Sequence, residues 1–150
     1  MLKFQNVFFI IAFIFIANLA SSQDFVKLPE DQVKQVQTEL AKNFAHNFFA
    51  ALKEGKTYEC QNEVTELLCE SLPPEKQNQL YQYFSEQFGI YQSLEYVETW
   101  KYSKEEIMII VRFKGICDPV KEISEIRVVV DKDNKIAGFW MRPWITEMKF

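Results

Sequence analysis

The second half of the chain reads IYQSLEYVETWKY at residues 90–102, EEIMIIVRFKG at residues 105–115 and ISEIRVVVDKDNKIAGFWMRPW at residues 123–144. Apolar side chains recur at alternate positions in these runs, which is the pattern of half-buried strands. Asp131–Lys135 is short and polar and therefore predicts a hairpin turn between the last two strands. Pro143 has no N–H to donate and should end the ladder. We therefore predict four consecutive strands of one antiparallel sheet.

Strand alternation assigns the side chains of these strands to two faces. One face carries apolar residues that should pack on helices: Ile107, Ile109, Val111, Phe113, Ile126, Val128 and Val130. The opposite face carries Met108, Ile110, Arg112, Lys114, Glu125, Arg127 and Val129. The first strand is more mixed, because Glu98 interrupts a face that is shared by Leu94, Tyr96, Trp100 and Tyr102.

The second face is less polar than a sheet face in water should be. Its apolar members lie on three strands that we expect to be neighbours, so they should form one exposed patch among Arg112, Glu125 and Arg127. A contiguous apolar patch of this kind marks an interaction site. We therefore predict a homodimer, or a heteromeric protein partner, that uses an isologous or docking interface at Met108, Ile110, Val129 and Trp140.

Three helices are predicted upstream of the sheet. Pro29 should open a long amphipathic helix that ends at Gly55, because apolar residues recur at steps of three and four from Val33 to Leu52. A second helix is predicted over residues 57–71, and a third runs from the Pro73-Pro74 step to Gly89. Phe44 and Phe48 of the first helix should pack on Ile109, Val111 and Val128. Helices followed by an antiparallel sheet define the α+β class.

The first 22 residues have the layout of a secretory signal peptide. Lys3 precedes the apolar run VFFIIAFIFIA at residues 7–17, and the small residues Ala20-Ser21-Ser22 precede Gln23. The apolar run is shorter than the ~20 residues that a membrane-spanning helix needs. We therefore predict a cleaved signal peptide at residues 1–22, a single domain at residues 23–150, and export as a secreted or periplasmic protein. The alternative is that an uncleaved segment anchors the domain to a membrane; otherwise no membrane partner is expected.

Charge argues against a nucleic-acid partner. Loss of residues 1–22 removes one base, Lys3, so the formal charge changes from −4 to −5. Acidic and basic residues are interspersed, without the Lys/Arg cluster or stripe that nucleic-acid binding requires.

The cysteines permit a disulfide in an exported chain, and their odd number leaves one thiol over. Within one continuous helix, Cys60 and Cys69 would lie on opposite sides and ~13 Å apart along the axis, too far for a bond. Cys117 should then pair with one of them, or all three stay reduced. The spacing fits no zinc pattern, and we expect neither a metal nor a cofactor.

Several segments together resemble the nuclear transport factor 2-like (cystatin-like) superfamily, and within it a bacterial family of unknown function. They are a first helix, LKEGKTYECQNEV at residues 52–64, LPPEKQNQLYQYFSEQFGIYQSLE at residues 72–95, the strand pairs, and VVVDKDNKIAGFWMRP at residues 128–143. The resemblance covers roughly residues 32–144. It implies a curved antiparallel sheet wrapped around the first helix, forming a cone with a pocket at its open end. It carries over no catalytic residues.

Candidate pocket residues are the polar and aromatic side chains expected inside that cone: Tyr83, Tyr96, Glu98, Trp100, Arg112 and Arg127. Isomerase-like members of the superfamily use an Asp or His base with a Tyr or Asp donor in the cone. A carboxylate such as Glu98 would have a raised pKa in an apolar cone and could act as a base. The simpler interpretation places Glu98 in water at a strand end, and His46 on the solvated side of the first helix.

Two functions follow from these observations. The first is an exported, non-catalytic binding or interaction module for an apolar small molecule or a protein. The second is a small isomerase- or dehydratase-like enzyme with its base in the cone. The chain has no G-x-S-x-G, phosphate loop or dinucleotide fingerprint, so other catalytic classes find no support. The position of a carboxylate or histidine beside a tyrosine in the pocket distinguishes the two.

Overall fold

The computed structural model describes residues 24–104 and 106–148, and in this part of the chain the fold is α+β, as predicted. The predicted signal peptide, residues 1–22, lies outside the described residues. In chain order the elements are β1 (Phe25–Lys27), a 3₁₀ turn (Glu30–Gln32), α1 (Gln35–Lys53), α2 (Glu66–Glu70), α3 (Pro74–Phe88), β2 (Ile90–Tyr102), β3 (Met108–Asp118), β4 (Ser124–Val130) and β5 (Ile136–Pro143).

The described sheet has five antiparallel strands in the order β1-β2-β3-β4-β5, rather than the four that the sequence predicted. The four predicted strands are β2 to β5. The additional strand, β1, pairs with the end of β2 through Phe25 opposite Tyr102 and Lys27 opposite Trp100. Because β1 is only three residues long, it is too short to show an alternating pattern in the sequence.

The long helix begins later than predicted. Pro29 is extended (φ −59°, ψ 153°) and precedes the 3₁₀ turn, and α1 starts only at Gln35 after an extended Lys34. Its end agrees with the prediction, since Gly55 has φ +71°, the left-handed conformation that suits glycine. Phe44 and Phe48 are buried in one core cluster with Ile109, Val111 and Val128, as predicted.

The helix predicted over residues 57–71 is wrong. Only Glu66–Glu70 is helical, and Thr65 caps it by accepting a hydrogen bond from the Leu68 N–H. The preceding backbone bonds to other parts of the molecule: the Ile136 N–H donates to the Glu63 carbonyl at 2.7 Å. The Gln77 side chain accepts from the Tyr58 N–H at 2.8 Å and donates to the Tyr58 carbonyl at 3.1 Å. These long-range bonds hold the segment out of a helix.

This irregular segment also corrects the disulfide prediction. Cys60 and Cys69 are bonded to each other, with their Cα atoms 6.0 Å apart. The prediction that they could not pair assumed a continuous helix between them, and the chain instead turns back. Cys117 is a free, buried cysteine on β3.

The two sheet faces follow the predicted alternation in β3 and β4. We call the face that packs on the helices the inner face; it carries Ile109, Val111, Phe113, Ile126, Val128 and Val130. We call the opposite one the outer face. Ile107, which precedes β3, is exposed.

In β2 the prediction fails at an irregularity between Tyr96 and Glu98. Tyr96 lies opposite Phe113 and Glu98 lies opposite Arg112, so the two side chains point to opposite faces. An inserted residue of this kind reverses the alternation of everything beyond it. As a result Leu94 and Tyr96 are on the inner face, whereas Glu98, Trp100 and Tyr102 are on the outer face.

Candidate functional site

A cleft of about 330 Å³ opens between the first turns of α1 and the inner face of β2 and β3. Tyr96, which is 43% exposed, forms its aromatic side, and the fully buried ring of Phe113 lies behind it, with the ring centroids 6.3 Å apart and nearly perpendicular. The Tyr96 hydroxyl lies 3.0 Å from the Thr99 hydroxyl, which fixes the direction of the phenol. The remaining lining comes from the 3₁₀ turn and α1: Glu30, Val33, Gln35, Thr38, Glu39 and Lys42. Five of the eight lining residues are polar or charged, so the cleft joins an aromatic surface to a polar rim; small-molecule sites also combine apolar surface with placed polar groups.

Tyr83, the other tyrosine predicted for the pocket, lies elsewhere. It lines a groove of about 230 Å³ along α3, together with Lys76, Leu80 and Glu86. Tyr83 and Tyr96 therefore belong to different surfaces. Of the six predicted pocket residues, Tyr96 alone lines the cleft beside α1.

The other four predicted residues lie on the outer face. Glu98, Arg112 and Arg127 join Glu125 in a network of charged side chains, in which Arg112, Glu125 and Arg127 are fully buried. Arg112 Nη1 donates to Glu98 at 2.8 Å and Nη2 donates to Glu125 at 2.7 Å. Arg127 Nε donates to the second oxygen of Glu125. Lys27 Nζ lies 2.7 Å from Glu98 and completes the row.

The sheet register explains why the charged side chains of this network stabilise one another. Arg112 and Arg127 are directly opposite on neighbouring strands, an arrangement that is destabilising for like charges. Glu125 bridges both guanidinium groups and so compensates the repulsion. Two indole rings add to this: Trp144 lies 4.0 Å from the Arg112 guanidinium and Trp140 lies 5.4 Å from that of Arg127.

The last described residues lie across this network. Arg112 also donates to the Ile145 carbonyl, and the Trp144 N–H donates to the Ile123 carbonyl at 2.9 Å. We call residues 144–148, which follow β5, the C-terminal segment. It covers the buried charges, so Arg112 and Arg127 do not face an open pocket.

Glu98 has the electrostatics of a structural ion pair. Burial acts to raise its pKa, but hydrogen bonds from Lys27, Arg112 and Trp100 outweigh burial, and the net effect lowers the pKa. A carboxyl with a lowered pKa stabilises the fold above its ordinary pKa, and this stabilisation is lost as the pH falls through the lowered value. Glu98 is therefore a poor proton acceptor at neutral pH.

The apolar part of the outer face is not exposed, which corrects the sequence analysis. Ile110 and Val129 are 1% and 0% exposed, and they form a second core with Phe25 and Tyr102. The half-buried side chains that pack against this core are Trp100, Met108, Ala137, Trp140 and Met148. β1 and the C-terminal segment thus cover the surface that alternation alone leaves to water. The homodimer stays a prediction.

His46 is exposed on α1, as predicted, but it has a contact that the sequence did not reveal. Its Nδ1 lies 3.0 Å from the hydroxyl of Tyr91, whose ring is buried beneath α1. Burial raises the pKa of Tyr91, and the neighbouring Cys117 thiol adds to this effect, so the phenol stays protonated at neutral pH. The two residues are 45 positions apart, and no local pattern could have paired them.

The described residues therefore form a small α+β domain, and the candidate site is its aromatic-walled cleft between a helix and a sheet. Comparisons with protein-family models, with curated proteins and with solved structures found no match for this chain. Among the described residues, no helix is long and apolar enough to cross a membrane. Within the same residues, no three His, Cys, Asp or Glu side chains gather as candidate metal ligands.

Proposed function

We propose that this protein is an exported, non-catalytic binding module that holds an apolar small molecule, or an apolar side chain of a protein, in the cleft between α1 and the sheet. The observation that carries this proposal is the exposed ring of Tyr96, backed by the buried ring of Phe113, beneath a polar rim. The rim would orient a ligand and the rings would bury its apolar part. A nuclear transport factor 2-like architecture, with the cleft at the open end of its cone, belongs to the same proposal.

The arrangement of titratable groups favours binding over catalysis. An acid–base enzyme requires a group with a shifted pKa at the reacting atom. The carboxylate suggested for that role, Glu98, lies on the far face of the sheet, in ion pairs with Lys27 and Arg112.

One observation keeps the enzyme as a second candidate. Glu30 and Glu39 line the same cleft as Tyr96, so a carboxylate and a phenol do occur together there. Both carboxylates are exposed to water, which is unlike the enclosed base of an isomerase. Measurable turnover that is lost in Glu39→Gln and retained in Glu98→Gln would favour the enzyme.

The disulfide supports the export part of the proposal. Cys60 is exposed and Cys69 is half-buried, and a disulfide in such a position persists in an oxidising compartment. We expect protein recovered from outside the cell to begin at Gln23 and to carry this bond. Amino-terminal sequencing and peptide mapping without reductant measure both. Recovered protein that begins at Met1 would instead favour the membrane-anchored alternative.

The cleft is tested with Nile red, a neutral apolar dye whose fluorescence rises in apolar surroundings. Tyr96→Ala removes the exposed ring of the aromatic wall and should weaken dye binding by about tenfold, the equivalent of one aromatic contact. Tyr83→Ala is the matched control, because it removes a half-buried tyrosine from the groove on α3. Equal losses in both variants, or a loss in Tyr83→Ala alone, would contradict the proposal. Native mass spectrometry of protein purified from its source would then identify the natural ligand.

A homodimer through the outer face remains part of the proposal in a modified form. Met108 and Trp140 are the half-buried members of the predicted interface, whereas Ile110 and Val129 are already covered. A dimer that reached those two residues would have to displace β1 or the C-terminal segment.

A further inference from the structure

An exposed apolar surface lies at the end of the sheet where β3 turns into β4. Four large side chains there are 40–66% exposed: Ile90, Ile116, Val120 and Ile123. We call them the hairpin-tip patch. Ile116 and Ile123 are neighbours on the outer face, because Gly115 lies opposite Ser124 in the register. Grouped exposed apolar side chains, unlike scattered ones, mark interaction sites.

The turn that carries the patch is held in place by α3. Lys121 Nζ donates to the carbonyls of Ser85 and Glu86 at 3.1 and 3.2 Å, and the Lys121 N–H donates to the Phe88 carbonyl at 3.3 Å. At Gly89 an added Cβ would lie 2.0 Å from the Pro119 carbonyl, so the two backbones meet closely. A surface that is ordered before binding loses little conformational entropy when a partner docks.

The charges around the patch select the kind of partner. Asp118 and Glu122 flank Val120, both are exposed, and neither forms an ion pair with another of the described residues. The ammonium group of Lys121 is directed at the α3 carbonyls and keeps its charge, so the two carboxylates outnumber it and the rim carries a net negative charge. The chain as a whole carries a formal charge of −4. A second copy would bring the same acidic groups, and an anionic bilayer would be repelled.

We propose that the hairpin-tip patch docks a segment of a partner protein in which apolar side chains are flanked by lysine or arginine. This surface is separate from the cleft: the patch lies at the β3–β4 end of the sheet, whereas the cleft residues come from the first turns of α1 and the middle of β2 and β3. Both can therefore be occupied at once.

The probes are two synthetic amphipathic helical peptides with the same leucine face, one with lysine and one with glutamate on its polar face. We expect the lysine peptide to shift the methyl resonances of Ile90, Ile116 and Ile123 in the folded protein and to leave that of the equally exposed Ile107 unchanged. The glutamate peptide should cause no such shift. Added salt should weaken the binding, because the acidic rim contributes to it.

Two variants locate the contact. Val120→Ser should weaken binding of the lysine peptide by about tenfold, because burial of a valine side chain against the peptide contributes about that much to affinity. Val36→Ser is the matched control, because Val36 and Val120 are 65% and 66% exposed, and it should bind as the wild type does. The double variant Asp118→Asn, Glu122→Gln should lose affinity together with its salt dependence.

Four results would overturn this proposal. Equal binding of both peptides would show that charge does not select the partner. Methyl shifts at residues outside the patch would show that the peptide binds elsewhere. Self-association that Val120→Ser abolishes would assign the patch to a second copy. Binding to phosphatidylserine vesicles that Val120→Ser abolishes would assign it to a membrane.

Discussion

Replacing Glu125 by glutamine should lower the free energy of unfolding by about 3–5 kcal/mol, the usual cost of removing one partner from a buried ion pair. The substitution preserves the shape of the side chain and removes its charge. Arg112 and Arg127 would then face each other across two strands, and Arg127 would lose its bond to the Glu125 carboxylate. Glu98 would still pair with Arg112, so the main loss is the ion pair between Arg127 and Glu125. Denaturant unfolding at neutral pH measures the change.

Two further variants test whether the loss of stability comes from the missing carboxylate charge in the buried network. Glu122 is an exposed glutamate in the turn before β4. Glu122→Gln should therefore change the free energy of unfolding by less than about 0.5 kcal/mol, as surface substitutions do. The triple variant Arg112→Met, Glu125→Leu, Arg127→Met should regain most of the stability that Glu125→Gln loses, because apolar residues of similar volume often replace a buried ion network without cost. A loss below about 1 kcal/mol in Glu125→Gln would mean that water reaches these charges, contrary to their burial.

The network also shows what alternation could and could not predict. A period of two correctly placed Arg112, Glu125 and Arg127 on the face opposite the helices, although Arg112 and Arg127 were also predicted to line the pocket. The same rule failed for Glu98 and Trp100, because the irregularity after Tyr96 reverses the faces of β2 and no residue type in that stretch announces it. Both residues were therefore predicted to share a face with Tyr96 in the pocket, whereas they lie on the outer face of the sheet.

The second limit of prediction from the sequence was packing between residues that are far apart in the chain. The outer face was predicted to be exposed because its own strands carry Ile110 and Val129 there. Phe25, near the start of the described residues, and Met148, at their end, pack over it. Contacts between such distant residues leave no periodic signal, so sequence patterns identify apolar faces but not what covers them.

The prediction for the segment before α3 was wrong for a related reason. Its apolar spacing, with Val64, Leu67 and Leu68, fits a helix, and Val64 and Leu68 are indeed buried. Local spacing cannot show that Ile136 and Gln77 take up the backbone hydrogen bonds of this segment. The incorrect helix then led directly to the incorrect disulfide, since both rested on one assumption about residues 57–71.

The core beneath α1 is where sequence and structure agree best, and it yields the last prediction. Phe48→Ala should lower the free energy of unfolding by about 3–5 kcal/mol, because it removes a large buried ring and leaves a cavity. Phe48 is fully buried, and its ring centroid lies 4.9 Å from that of Phe139, 5.4 Å from that of Phe49 and 5.8 Å from that of Tyr58. These rings come from β5, α1 and the irregular segment between α1 and α2, so the cavity would open where three parts of the fold meet.

The neighbours of Phe48 decide how far the site can collapse. Rigid rings fill a gap less well than flexible chains, so we expect the upper half of that range rather than the lower. Phe48→Leu keeps most of the volume and should cost less than about half as much. Val36→Ala, an exposed position on the same helix, should stay within about 0.5 kcal/mol of the wild type and controls for helix propensity. A loss below about 1 kcal/mol for Phe48→Ala in urea unfolding would mean that α1 does not pack on the sheet through this residue.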